Sequence, residues 1–293
     1  MHGWVIYNGH LATDAFLQFP RAIQEAGRRN NIPITLQAND QIPYQLDGQG
    51  ISIKTDDLPD FVVFNDKDIA LARTFEMLGI PLYNSAETIA NCDNKVIMYQ
   101  YLAKQKVPIP KTIIAPKVFS GINEFHRARY IQLAEQLSYP MVIKEGHGSF
   151  GEQVYLVKNH DEMLSLVETI KDRPFVFQEY IQSSYGRDIR LFVVGSKVVA
   201  SLKRTSSHDF RANVYQGSTI EAYQPTEQEQ ALAIQASHAV GAHYAGVDLL
   251  FGADHQPIVC EVNTNAHIGN ILQHTGINMA DVIIHEIMTQ QTD

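Results

Sequence analysis

Asp248, Glu261 and Asn263 are the residues whose types and spacing most clearly offer chemistry. They lie in Gly246-Val247-Asp248-Leu249-Leu250 and Val259-Cys260-Glu261-Val262-Asn263, two apolar runs that read as strands around a polar turn at 252–256. Side chains alternate along a strand, so Glu261 and Asn263 share one face while Cys260 and Val262 take the other. If the runs pair as a hairpin, Asp248 reaches the face of Glu261. An isolated acid on a strand is usually only solvated. Two acids and an asparagine in apolar strands differ, because burying bare carboxylates costs several kcal/mol unless a cation compensates. Two carboxylates and an amide oxygen make a hard-oxygen site suited to Mg²⁺, which retains water and binds nucleotide phosphates.

A second group surrounds Gly146-His147-Gly148-Ser149-Phe150-Gly151, which fits G-x-G-x-x-G. A dinucleotide fingerprint needs a helix after the glycines. Here the strand-like run 141–144 precedes them and the alternating run 153–157 follows, so that reading fails on context. A glycine-rich turn between two strands is a flap whose N–H groups can close over phosphates. Lys144 would place a positive charge beneath it. Glycine hairpins alone are often merely tight turns; the acidic strand pair gives this one weight. Arg187, Arg190, Lys197, Lys203, Arg204 and Arg211 gather in a chain of net charge −9. Such a cluster suits a small anionic ligand, or equally a solvated charged face. Divalent metal, phosphate flap and lysine together describe ATP chemistry, in which positioning and charge neutralisation do most of the work.

The elements that must position these residues follow from periodicity. Residues 4–7 and 34–36 read as buried strands on either side of a helix over 15–29. Residues 61–64 form a third run, followed by a helix with Ile69, Ala72, Phe75 and Leu78 at helical spacing and Gly79 as its stop. This βαβ pattern predicts a small parallel-sheet domain over 1–94. Asp93 or Asn94 can cap the next helix, which must end before Val107-Pro108-Ile109-Pro110. Strands are expected at 141–144, 153–157 and 175–178, with a helix near 161–171. Runs 189–194 and 197–202 are joined by Gly195-Ser196, a two-residue II′ hairpin signal. Thr226 with Glu229 forms a capping box opening an Ala-rich helix to about His243. Hairpins mixed with helices mean α+β for this half.

Composition narrows the function classes. At 293 residues, 45% hydrophobic and 19% charged, the chain is globular and long enough for two or three units. No apolar run is long enough to span a bilayer, and the opening residues do not read as a signal peptide. Cys92 and Cys260 stand apart without CxxC spacing, which removes zinc-ribbon and thioredoxin readings. Two ordinary thiols in a reducing cytoplasm are expected, with one disulfide between them left open. A net charge of −9 without a Lys/Arg-rich block argues against a nucleic-acid partner. H-E-x-x-H and G-x-S-x-G are both missing, against metalloprotease and hydrolase readings.

Together these segments resemble the ATP-grasp superfamily, and within it the RimK-like branch of amino-acid and glutamate ligases. The resemblance rests on Cys92-Asp93-Asn94-Lys95, residues 107–112, Val142-Ile143-Lys144-Glu145-Gly146, Gln178-Glu179-Tyr180-Ile181 and Gly186-Arg187-Asp188-Ile189-Arg190. It continues through Asp209-Phe210-Arg211-Ala212-Asn213, Ala245-Gly246-Val247-Asp248 and Cys260-Glu261-Val262-Asn263. The set occurs in family order from about residue 84 onward.

The resemblance implies an α/β plus α+β fold: a small N-terminal parallel-sheet domain, 1–94, then an ATP-grasp fold of two α+β subdomains gripping ATP. The central subdomain, 95–182, would carry the flap, and the C-terminal one, 183–293, the metal site. The resemblance places Lys95 and Lys144 at nucleotide phosphates, Glu179 and Tyr180 at adenine, and Asp188 near the ribose. It adds Arg211 and Asn213 to the nucleotide site, sets Arg190 and Arg204 as catalytic residues facing phosphate or substrate carboxylate, and makes Asp248, Glu261 and Asn263 metal ligands. The cofactors are then ATP and Mg²⁺, with Mn²⁺ as a substitute. The partners are small-molecule or peptide carboxylates and amines, with no nucleic acid and no membrane; homo-oligomerisation is left open.

The implied activity is ATP-dependent ligation of a carboxylate to an amine through an acyl phosphate. The competing reading is a catalytically silent ATP-binding regulatory or partner protein of the same fold. Two stretches depart from RimK-like glutamate ligases. Asn213-Val214-Tyr215-Gln216-Gly217-Ser218 replaces a basic, Gly-Gly-containing stretch, and Thr264-Asn265-Ala266-His267-Ile268-Gly269 replaces a Ser-Pro-Gly-like one. Both imply a protein other than a conventional glutamate-adding modifier of a ribosomal protein.

Overall fold

The computed structural model describes residues 1–11, 13–55, 57–122, 125–212 and 217–292. It begins with β1 (Gly3–Tyr7), α1 (Asp14–Arg29) and β2 (Ile34–Ala38), then a hairpin of β3 (Tyr44–Asp47) and β4 (Gly50–Ile53). β5 (Phe61–Asn65), α2 (Ile69–Met77), β6 (Leu82–Tyr83) and α3 (Ala86–Asp93) follow. Four of these strands form a parallel sheet in the order β2-β1-β5-β6. Both of its faces are covered, which is why its strands read as unbroken apolar runs. Along β5, Phe61 and Val63 enter the core under α1, while Val62 and Phe64 enter the core under α2 and α3.

The chain continues through α4 (Lys95–Lys104), β7 (Thr112–Ile114), α5 (Arg127–Ala134), β8 (Met141–Glu145), β9 (Val154–Val157), α6 (His160–Ile170) and β10 (Phe175–Glu179). A second sheet, antiparallel, has the order β7-β10-β8-β9. The remainder is β11 (Arg187–Val194), β12 (Lys197–Thr205), β13 (Thr219–Ala222), α7 (Glu227–Ala239), β14 (Tyr244–Phe251), β15 (Pro257–Asn263), α8 (Gly269–Thr275) and α9 (Met279–Thr292). Its antiparallel sheet has the order β13-β12-β11-β14-β15. One parallel sheet followed by two antiparallel ones is the α/β plus α+β arrangement expected.

Local signals act where the sequence put them. The Asn94 side chain accepts from Val96 N at 3.0 Å and caps α4. Thr226 and Glu229 exchange hydrogen bonds of 3.2 and 2.7 Å at the start of α7. That helix stops at Ala239, short of the expected His243, because Gly241 takes φ 80° and its N–H returns to His238 O.

Two strands show how the packing aims the polar residues. On β11, Ile189, Leu191 and Val193 enter the core shared with α4 and α7, while Phe192 and Val194 enter the core shared with α1 and α9. Asp188 and Arg190 lie on the Phe192 face, further along the strand. On β8, Met141 and Ile143 face α5 and α6, which turns Val142 and Lys144 the other way. The facing surfaces of the second and third sheets therefore mix charged groups such as Lys144, Asp188 and Arg190 with apolar ones such as Val142, Leu202 and Leu250. Among the described residues, no helix is long and apolar enough to cross a membrane.

Asn84, 1% exposed, joins the first sheet to the third. Its Nδ2 donates to Tyr244 O at 2.9 Å and its Oδ1 accepts from His243 N at 2.7 Å. Asn84→Ala strands both backbone groups. Chemical denaturation should show a loss of about 1–3 kcal/mol for each one left unsatisfied.

Candidate active site

A cleft of about 810 Å³ lies between the second and third sheets. Lys95, Lys144, Glu179, Tyr180, Asp188, Arg190, Arg204, Arg211, Asp248, Glu261 and Asn263, singled out from sequence, all line it. Asn213 and Gln216 lie outside the described residues.

The glycine loop joins β8 to β9 in an antiparallel pair, so strand–loop–strand is its actual context. Gly148 and Gly151 take φ 151° and 74°, conformations that L side chains rarely adopt. Two cations hold the loop. Lys95, at the first turn of α4, donates from Nζ to Gly148 O at 3.1 Å, and Arg211 donates from Nη1 to Gly151 O. Arg211 is itself clamped by Asp209 at 2.8 Å, which raises its pKa and lowers that of Asp209. Phe150, on the same loop, makes ring contacts with Phe16 of α1 and with His267, at centroid separations of 6.5 and 5.9 Å.

Across the third sheet runs a row of charges fixed by strand register. Asp188 stands opposite Arg204, Arg190 opposite Asp248, and Asp248 opposite Glu261. Arg204 donates to both oxygens of Asp188 at 2.6 Å and lies 2.9 Å from Asp248. Arg190 donates to both oxygens of Asp248 at 2.6 and 2.7 Å. Burial works against the ionised Asp248, but the Arg190 and Arg204 guanidiniums outweigh it and hold its pKa near 2. Burial pushes Asp188 upward despite its arginine. The cation demanded by Asp248 in the sequence argument is thus supplied by two arginines. Their pairing, between strands distant in sequence, gave no local signal.

Lys144 is 5% exposed. Its Nζ donates to Tyr99 Oη at 2.9 Å and lies 3.4 Å from Cys260 Sγ. Burial opposes its charge, but the Cys260, Tyr99 and Glu261 side chains offset that penalty and hold its pKa above the usual value. Burial raises the Cys260 pKa against the lowering effect of the Lys144 ammonium, and both cysteines are unbridged. Glu179, at the end of β10, accepts from Lys111 N at 3.2 Å. Tyr180 packs edge-on against Phe210 at 6.3 Å.

The donor set fits a divalent cation in part. Glu261 has no ion-pair partner among the described residues, beside an Asp248 already paired with arginines. The Nδ2 of Asn263 is buried without a hydrogen-bond partner. These are hard-oxygen residues, yet no group of three or more His, Cys, Asp or Glu side chains capable of holding a metal occurs among the described residues. The remaining ligands would have to come from phosphate and water, the usual arrangement for Mg²⁺.

Sequence reasoning passed over Asn8, Asp66 and Lys67, which also line the cleft. They follow β1 and β5, at the C-terminal edge of the parallel sheet, where such sheets open their ligand crevices. The polar run after the apolar residues 61–64 was the available signal.

Fold and cleft define an ATP-grasp protein. An ATP-grasp ligase, PsnB, solved with a phosphomimetic variant of its minimal precursor, Mg and ADP, superposes with a TM-score of 0.70 at 17% identity. The match covers 99% of this chain and 98% of that one. The chain belongs to the RimK-like ATP-grasp domain family, whose model matches residues 92–287. It is similar to human N-acetylaspartylglutamate synthase A, 31% identical over 288 residues, 93% of this chain and 72% of that protein. It is also similar to a probable alpha-L-glutamate ligase of Trichodesmium erythraeum, 34% identical over 221 residues, 73% of this chain and 70% of that protein.

Asp248→Asn removes the carboxylate charge facing one buried guanidinium, Arg204, and one partly buried one, Arg190. Denaturation at neutral pH should show a loss of about 3–5 kcal/mol, the range for breaking a buried pair. The folded-state pKa of Asp248 is depressed from 3.8 to about 2, so its contribution is complete above the unfolded value. It is lost as pH falls through about 2. The difference between wild type and variant should shrink over that window.

Proposed function

We propose that this protein is an ATP- and magnesium-dependent ligase that joins a carboxylate to an amine through an acyl phosphate. It forms carbon–nitrogen bonds at the expense of ATP, as the class does. The γ-phosphoryl group passes to a carboxylate oxygen and ADP leaves. The neutral amine then attacks the acyl carbon, phosphate departs with the C–O bond electrons and takes up the proton that the nitrogen releases, and an amide remains. The observation that carries this reading is the meeting of Lys144, the flap and the charge row on one cleft.

In this reading Lys95 and Lys144 stand at the nucleotide phosphates, and Glu179 and Tyr180 border the adenine. Arg211 keeps the flap over them. Both oxygens of Asp188 are committed to Arg204, so Asp188 positions that guanidinium. Arg190 uses Nε and Nη2 on Asp248, leaving Nη1 for a substrate or phosphate oxygen. Glu261 and Asn263, with the lone pair that Arg190 and Arg204 leave open on Asp248, would hold Mg²⁺, which would supply charge neutralisation at the transferring phosphoryl group. Support for ATP and Mg²⁺ comes from the PsnB complex with Mg and ADP. Support for an amino acid as the amine comes from the relative described as a probable alpha-L-glutamate ligase.

The first test is ADP release from ATP and Mg²⁺ across a panel of carboxylates and amines. With the acid substrate and hydroxylamine, hydroxamate and ADP should form in equal amounts. AMP and pyrophosphate as products would sink the acyl phosphate, and ATP binding without turnover on any pair would favour a silent nucleotide-binding protein. The second is Glu261→Gln, which keeps shape but removes a charge from the proposed metal site. Turnover should fall at least tenfold at limiting Mg²⁺, with the midpoint of Mg²⁺ dependence shifted upward. Normal turnover there removes Glu261 from the ligand set.

A further inference from the structure

Asp66 follows β5 and is 8% exposed, with its surface on the cleft. Its oxygens accept from Asn8 Nδ2 at 3.2 and 3.4 Å and from Lys67 N at 2.7 Å. All three contacts involve neutral donors. The Lys67 ammonium turns instead to Asp93 and approaches Ser149 of the flap. Among the described residues, no cation lies within ion-pair distance of Asp66, whereas Asp188 and Asp248 each have an arginine. Asn265 extends this acceptor-rich corner. Its Nδ2 reaches Asp66 O at 3.5 Å, and its Oδ1 is buried without a partner. A largely buried carboxylate on a cleft wall, hydrogen-bonded but with its charge unmet, is the complement of an ammonium group.

We propose that Asp66 binds the ammonium group of an amino-acid substrate, so that the parallel sheet selects the amine side of the reaction. The guanidiniums of the third sheet serve the anionic side. This rests on the ligase reading, which it deepens by naming the chemistry at one corner of the same cleft. Burial raises the Asp66 carboxyl above its usual value, the direction expected of an acid lacking a cation.

The test uses calorimetry on the intact protein with ADP and Mg²⁺ present, and two probe pairs: L-glutamate against glutarate and L-aspartate against succinate. Members of a pair share their carboxylates and differ by the ammonium. Wild type should bind the ammonium-bearing member of at least one pair tenfold or more tighter. Asp66→Asn should erase that difference and leave ADP affinity unchanged. Asn8→Ala, which keeps the carboxylate charge, should retain the difference and guards against a local folding effect in the first variant. Equal binding within both pairs, no binding of either pair, or a preference that survives Asp66→Asn overturns the proposal. An ammonium preference that depends on Asp66, in a protein that releases no ADP with any acid and amine, would leave this assignment standing and bring down the ligase reading alone.

Discussion

Asp188 meets Arg204 and Arg190 meets Asp248 across neighbouring strands, and the placement of nearly every other group on that wall follows from these two contacts. The contacts depend on register. A slip of one residue between β11 and β14 would turn Arg190 into the apolar core beneath α7 and carry Leu191 onto the cleft. Buried ion pairs contribute little net stability over well-packed apolar residues. What this row contributes is position: two guanidiniums are held in place, and Glu261 stands at the end of the row without an ion-pair contact among the described residues.

The same strands build core and cleft. Phe192 and Val194 lock one end of β11 under the helices, and the other end carries Asp188 and Arg190. Ile143 anchors β8 in its own core, and the next residue is Lys144. A charged group that follows immediately on a packed aliphatic one inherits its rigidity, which preorganises it for electrostatic work. The flap is held instead by contacts from elsewhere in the chain: Lys95 of α4, Arg211 of the connection between β12 and β13, and Phe16 and His267 against Phe150.

Much of this was legible from residue order alone. The parallel sheet declared itself because strands covered on both faces leave unbroken apolar runs. The flap declared itself because an alternating run, not a helix, follows its glycines. Short or exposed elements left weaker marks: the hairpin of β3 and β4 carries mostly exposed side chains, and β13 is only four residues long. The partner of Asp248 was illegible for a different reason. Nothing near position 248 announces that its cations sit at 190 and 204, because cross-strand pairing is a property of topology. The contribution of Asn8, Asp66 and Lys67 was hidden likewise, since only the assembled sheet edge brings them to the cleft.

α9 lies against α1, and Arg29 reaches Asp281 across 252 residues of chain. Met279, Ala280, Ile283, Ile284 and Ile287 fill the same core as Val5, Ile23 and Val63. During synthesis, every strand of the parallel sheet has left the ribosome long before the helix that completes its covering exists. One face of that sheet stays only partly roofed until α9 is made, with apolar surface on offer to chaperones or to other nascent chains. Closing that core is a strongly non-local event, in which loop-closure entropy is spent over the 252 residues between Arg29 and Asp281 at once. The strands of the parallel sheet precede α9 in the chain and still wait for it to become fully native.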